Sequence, residues 1–249
     1  MSASVQRIRI TFSRGESLKY LSHLDMMRLW ERALRRAGLP LAYSEGFTPH
    51  ARLSIAAPLP VGVTSDAELM DVHLERPLPL PTLSSAIKRQ LPQGIKVLDA
   101  REVVPTLPSL QSLVRLAEYK VVVTAEKSLP ETQLALRTLL ALESLPWQHY
   151  RDTGPREYDL RPLIDDIWFI EWDEERGTLG MRLHIDSEGT GRPEQVTLAL
   201  GFRERPLSIH RTKLILASAA PAPRGNPRFA PRPASSALRR GNGYGRGSA

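Results

Sequence analysis

The residues that could do chemistry gather in one stretch, 19–50, which reads KYLSHLDMMRLWERALRRAGLPLAYSEGFTPH. It holds Lys19, Tyr20, His23, Asp25, Arg28, Arg32, Arg35, Arg36, Tyr43, Phe47 and His50, with Arg52 just beyond. Guanidinium forks grip phosphate better than point charges do. Aromatic rings beside Arg can stack unpaired bases. A neutral imidazole can meet a base edge or take a proton. Two chemistries follow. In the first, Lys19, Arg28, Arg32, Arg35 and Arg52 contact RNA phosphates while His23, Tyr43, Phe47 and His50 touch bases. In the second, the protein cleaves RNA without a metal. His23 or His50 would then take the 2′-OH proton, Tyr20 or Tyr43 would orient it, and Lys19 or Arg52 would stabilise the developing charge. The plainer alternative is a solvated basic helix face with Tyr43 and Phe47 anchoring a loop to the core.

These residues need a helix and a turn to position them. Ser22-His-Leu-Asp25 has the spacing of a capping box, with Asp standing in for the usual Glu. At about 100° per residue, Met26, Leu29, Trp30, Ala33, Leu34 and Ala37 share one face. Arg28, Arg32, Arg35 and Arg36 share the other, where Glu31 and Arg35 form an i,i+4 pair. Gly38 and Pro40 end the helix. In the loop 43–50, Gly46 permits a positive φ and Pro49 stiffens the exit.

Composition narrows the remaining classes. The chain has 249 residues and 41% apolar content, enough for a buried core. It has no cysteine, which excludes disulfides, thiolate catalysis and a cluster held by its own thiolates. MSASVQRIRITF lacks the apolar run of a secretion signal, so a cytoplasmic location is expected. No apolar run reaches the length of a membrane span. The net charge is +7, but six of the 34 basic residues lie beyond Pro221, where no acid occurs. Without them 28 basic residues face 27 acidic ones. The segment 219–249 is rich in Pro, Gly, Ser and Arg and is expected to be disordered. It is either a solvated extension or an RNA-contacting arm. No Walker or Rossmann glycine pattern and no H-E-x-x-H occurs, so no cofactor and no metal are expected. The acids Asp165, Asp166, Glu171, Asp173, Glu174 and Glu175 alternate with apolar residues and read as a solvated strand edge.

The rest of the chain alternates strands and helices. Strands are expected at 7–13, 51–59, 67–75 and 94–103, with helices over 21–38 and 82–91. The order recurs after the Pro-rich segment 104–116. Strands at 117–125, 167–173, 177–186 and 206–216 accompany helices at 130–144 and 192–200, with a hairpin and a turn inside 147–164. The fold class is α+β: two tandem ferredoxin-like (βαββαβ) units, 1–103 and 117–218, joined by 104–116 and followed by the tail.

The phrases LSHLD, RALRRAGLP, YSEGF-x-PH and APLPVGV-x-S occur in order, and YDLRPLI and SIHRTKLIL follow later. Over roughly residues 7–215 the chain resembles the bacterial radical-SAM-linked domain of unknown function. That resemblance implies a radical-SAM partner protein, for which a chain without cysteine would be an accessory. In architecture and in the LSHLD-to-PH layout it also resembles the CRISPR repeat-processing endoribonucleases. It lacks the glycine-rich loop their second unit carries near its end. The expected function is an accessory RNA-binding protein for a radical-SAM partner. The alternatives are an endoribonuclease using His23, His50 and Tyr43, or a protein–protein scaffold.

Overall fold

The computed structural model describes residues 5–151, 154–185 and 189–217. The expectation of a disordered tail from 219 lies outside the described residues. Those described belong to one compact unit, a mixed α+β arrangement built on one large sheet.

The first half runs β1 (Gln6–Arg14), α1 (His23–Arg36), β2 (Leu53–Ile55), β3 (Thr64–Leu74), α2 (Leu80–Lys88) and β4 (Ile95–Val103). A one-turn helix α3 (Leu110–Leu113) leads into the second half. That half comprises β5 (Val114–Thr124), α4 (Leu129–Ala141), β6 (Pro146–Arg151), β7 (Gly154–Asp159), β8 (Ile164–Trp172), β9 (Arg176–His184), α5 (Pro193–Ala199) and β10 (Ser208–Leu216). The sheet order is β4-β1-β3-β10-β5-β9-β8, with β2 on β3, and β6 and β7 form a separate hairpin. The same pairing pattern thus appears twice, as β4-β1-β3-β2 and as β10-β5-β9-β8. Every pairing is antiparallel except the seam, where β10 runs parallel to β3 through His210↔Thr64 and Arg211↔Ser65.

Alternation sends the two sides of β1 to different partners. Ile8, Ile10 and Phe12 join Trp30, Leu34, Met70 and Ile87 in the core beneath α1 and α2. Phe12 meets Trp30 edge to face, with ring centroids 4.8 Å apart. On the other side Arg7 and Arg9 are buried against Asp71, which is 0% exposed. Arg7 Nε and Arg9 Nε donate to opposite oxygens of that carboxylate at 2.9 and 2.8 Å. The Arg7 Nη1 and Nη2 groups donate to the carbonyls of Leu107 and Pro108. The expected connection is therefore docked onto the back of the sheet. It is also shorter than the expected 104–116, because α3 begins at Leu110, capped by Ser109, and β5 begins at Val114.

Two local expectations need correction. The strand expected over 51–59 is only three residues long. Pro58 and Pro60 have no N–H for a ladder, and the 64–65 end of β3 is already paired with β10. The capping box at Ser22 is half made. Ser22 Oγ accepts from the Asp25 amide at 3.2 Å, but Asp25 takes the Ser22 hydroxyl at 2.6 Å and makes no well-formed bond to the Ser22 amide. At α4, where the third residue is the longer Glu131, the box closes: the Ser128 amide donates to the Glu131 carboxylate at 2.8 Å.

The seam is bound by charge. Arg211 is 0% exposed and donates to both oxygens of Glu68 at 2.6 Å and to the Ala57 carbonyl at 2.9 Å. Removing one member of a buried pair strands the other. Glu68→Ala should therefore cost about 3–5 kcal/mol in urea unfolding. Glu68→Leu combined with Arg211→Met should recover most of that loss, and a single-variant cost below about 1 kcal/mol would mean the seam does not depend on the pair. Ser22→Ala should cost about 0.5–2 kcal/mol and leave the circular dichroism spectrum unchanged.

Candidate nucleic-acid interface

Helix α1 presents the arginines as its periodicity requires. Met26, Trp30, Ala33 and Leu34 are buried, while Arg28, Arg32, Arg35 and Arg36 are exposed. Their electrostatic states differ. Arg28 pairs with Asp25 at 3.4 Å and Arg35 with Glu31 at 2.7 Å, both at the surface. Arg32 and Arg36 form no ion pair among the described residues. Lys19 is held by Glu16 at 2.7 Å and lies 5.3 Å from the Tyr20 ring centroid. The hydrogen bond that the Lys19 ammonium donates to Glu16 holds its pKa above the ordinary value.

The loop 43–50 sits at the far end of α1. The Arg35 guanidinium lies 5.6 Å from the Tyr43 ring centroid, and Tyr43 packs on the core cluster under the helix. The loop is closed at its base: the Ser44 amide donates to the His50 carbonyl at 2.8 Å, and the His50 amide donates to Ser44 Oγ at 3.0 Å. Gly46, with φ +121°, makes the turn. Tyr43 therefore anchors the loop, whereas Phe47 is fully exposed at 109%. His50 and Arg52 are exposed as well.

His23 is elsewhere. It begins α1, and Arg35 lies twelve residues on, about 18 Å along the helix axis. His23 lines a small cavity of about 10 Å³ together with Arg14, Phe12 and Glu68. Arg35 meets Tyr43 at one end of α1, where the closed loop also brings His50 and Arg52, while Lys19, Tyr20 and His23 lie at the other. His23 and His50 therefore belong to two separate groups, each with its own Tyr and its own cation.

The most strongly built polar cluster went unnoticed in the sequence. Arg14, 2% exposed, donates from Nε to the Leu18 carbonyl at 3.0 Å and from Nη2 to the Leu21 carbonyl at 2.8 Å, so it fixes the chain that enters α1. Burial pulls its guanidinium down, opposed by Glu68 and reinforced by Arg211. For Arg211 burial acts downward too, but Glu68 and Tyr119 outweigh it and hold the guanidinium charged. Burial pushes the Tyr119 phenol up. Arg211 Nη1 has no hydrogen-bond partner of good geometry. The signal was available: Glu68 and Asp71 interrupt the apolar strand AELMDVHL, and Arg211 sits in SIHRTKLIL. An ionised group inside such a strand calls for a counter-ion. The acids at 165–166 meet one: Arg182 bridges Asp165, Asp166 and Glu118.

Comparison with solved structures gives distant likenesses. A Cbf5-Nop10-Gar1 complex aligns with a TM-score of 0.45 at 10% identity, over 85% of this chain and 49% of that one. The archaeal box H/ACA sRNP Nop10-Cbf5 complex aligns at 0.44 and 11%, again over 85% and 49%. An H/ACA RNP bound to a substrate RNA containing 2′-deoxyuridine aligns at 0.42 and 10%, over 86% and 49%. This chain thus spans about half the length of the chains it matches. No curated protein matches the sequence. The model of one bacterial family matches residues 7–193, most of the chain, and the protein belongs to that family, the uncharacterized proteins conserved in bacteria designated DUF2344.

Proposed function

We propose that this protein is an RNA-binding accessory protein that holds single-stranded or looped RNA on the α1 face for a radical-SAM partner. The observation that carries the reading is Phe47. Phe47 is 109% exposed on a loop closed at its base, so its ring is free to stack on an unpaired base. The same loop holds Tyr43 against Arg35 of α1, and on that helix Arg32 and Arg36 have no carboxylate partner among the described residues. Phosphate on Arg32 and Arg36 with a base on Phe47 is the combination that single-strand binding surfaces use. The radical-SAM partner rests on the sequence phrases LSHLD, YSEGF-x-PH and APLPVGV-x-S and on the absence of cysteine. Each half reads as a ferredoxin-like unit, a reading that its repeated strand order supports. In the cleavage alternative either His50 with Tyr43 and Arg52 or His23 with Tyr20 and Lys19 would act, and cutting of RNA in EDTA by the wild type would favour it over the binding reading.

Binding of a single-stranded RNA to residues 1–217 should weaken as salt rises. Changing Arg32, Arg35 and Arg36 to Glu should abolish it at low salt, because each fork becomes a repelling carboxylate. Phe47→Ala should leave stability within about 0.5 kcal/mol and cost about 1–3 kcal/mol of affinity per stacked base. Residues 1–217 failing to bind RNA at low salt, with the triple Glu variant losing a co-purifying protein instead, would transfer the face to a protein scaffold.

A further inference from the structure

A second cavity, far larger than the one beside His23, lies away from the α1 face. It has a volume of about 780 Å³ and opens at the seam on the helical side of the sheet. Specific small-ligand sites occupy roughly 300–1,000 Å³. The first half supplies Pro58 to Val63, the segment that leaves β2 early. The second supplies Tyr119 and Ile209 from the sheet, the β6–β7 hairpin and the start of α5.

The hairpin has no counterpart in the first half. Two strands alone are marginal in water, so this one is held from outside. The Asp159 carboxylate accepts from the Leu145 amide at 2.7 Å and the Arg161 amide at 2.9 Å. Those amides, with the Ser144 hydroxyl, keep Asp159 below the usual carboxylate range. The Tyr158 hydroxyl donates to Gln195 Oε1 at 2.6 Å, which ties the hairpin to α5 across the cavity.

That bond also leaves something over. Gln195 is 6% exposed and lines the cavity, and among the described residues its amide nitrogen donates to no protein acceptor. Beneath it the floor is apolar: Leu59, Val63, Tyr119 and Ile209. At the mouth Arg156 and Arg192 are exposed, and neither has a carboxylate partner among the described residues. Arg156 lies over the Tyr158 ring instead, 5.9 Å from its centroid. Of the two lining carboxylates, Asp159 is committed to backbone amides, while Glu194 remains able to accept from an amino group.

An apolar floor with one aromatic ring, the amide of a largely buried glutamine with a carboxylate acceptor nearby, and two exposed arginines describe one kind of ligand: a planar ring with hydrogen-bonding edges joined to a phosphate. We infer that the seam cavity binds a nucleotide unit, its base over Tyr119 and Leu59 with its edge on Gln195, and its phosphate between Arg156 and Arg192. The unit can be a free mononucleotide or one unpaired nucleotide of a strand; only the second form rests on the RNA reading above.

Titration calorimetry of the full chain with the four ribonucleoside 5′-monophosphates, and with a short single-stranded RNA, separates these forms. At least one monophosphate should bind, and more tightly than its nucleoside. Arg156→Glu with Arg192→Glu, both at the surface, should weaken it roughly tenfold or more. Gln195→Glu should change the order of preference among the bases. The α1 triple Glu variant should leave mononucleotide binding unchanged. If the rim variant weakens the oligonucleotide as well, the ligand is part of a strand; if only the mononucleotide weakens, it is free. Absence of binding by all four monophosphates, together with an oligonucleotide affinity indifferent to the rim variant, overturns the inference while leaving the α1 reading intact.

Discussion

The Arg211–Glu68 pair is the interaction on which the rest of the molecule depends. Only two residue pairs join β10 to β3, so the ladder itself holds the halves weakly. The guanidinium adds a two-oxygen grip on Glu68 and a bond to the Ala57 carbonyl, all out of water. Smaller bonds flank it: Ser65 Oγ donates to the Arg211 carbonyl at 3.1 Å, and Thr64 Oγ1 meets His210 Nδ1 at 2.8 Å. The pair also reaches both candidate sites. Glu68 interacts with Arg14, which fixes the entry to α1, and Arg211 interacts with Tyr119 on the cavity floor. Such a pair adds little net stability over an apolar substitute. What it adds is register: a guanidinium two residues out of place would be buried without its carboxylate.

A second buried network does the same on the opposite side of the sheet. Asp71 is shared by Arg7 and Arg9, which leaves an excess positive charge inside the protein. The carbonyls of Leu107 and Pro108 face that excess with their negative ends. The segment between the halves is thus an electrostatic lid on the first, and Leu110 beside it joins Ala56 and Val114 in a small apolar cluster.

Much of this could be read from residue order. Period-two alternation in RIRITFS and period-3.6 spacing in MMRLWERAL are local properties, and β1 and α1 follow them. The outward face of α1, with Arg32 exposed, follows from the same spacing. What failed was whatever depends on a second layer. Arg7 and Arg9 alternate with isoleucines as solvent-facing residues would, yet they are buried because a distant segment covers them. Tyr43 and Phe47 are similar in type and four residues apart, but only Tyr43 finds the core; loop closure through Ser44 and His50 decides that. The seam cavity was illegible, since its walls come from positions 59, 119, 158, 195 and 209, which no local pattern relates.

The place of β10 governs how the protein can be made. It is the last strand in chain order, yet it lies in the middle of the sheet, 146 residues from its partner Thr64. A ribosome releases β1 to β9 first. Through that interval the 64–65 end of β3 and the whole inner side of β5 are open strand edges, able to pair with any other chain. Glu68 is also without its counter-ion. Closing so long a loop is slow compared with forming helices and hairpins. Nascent chains of this protein therefore pass through a stage in which both halves have acquired their local structure and neither is finished, and in that stage the open edges of β3 and β5 are where wrong pairing can start.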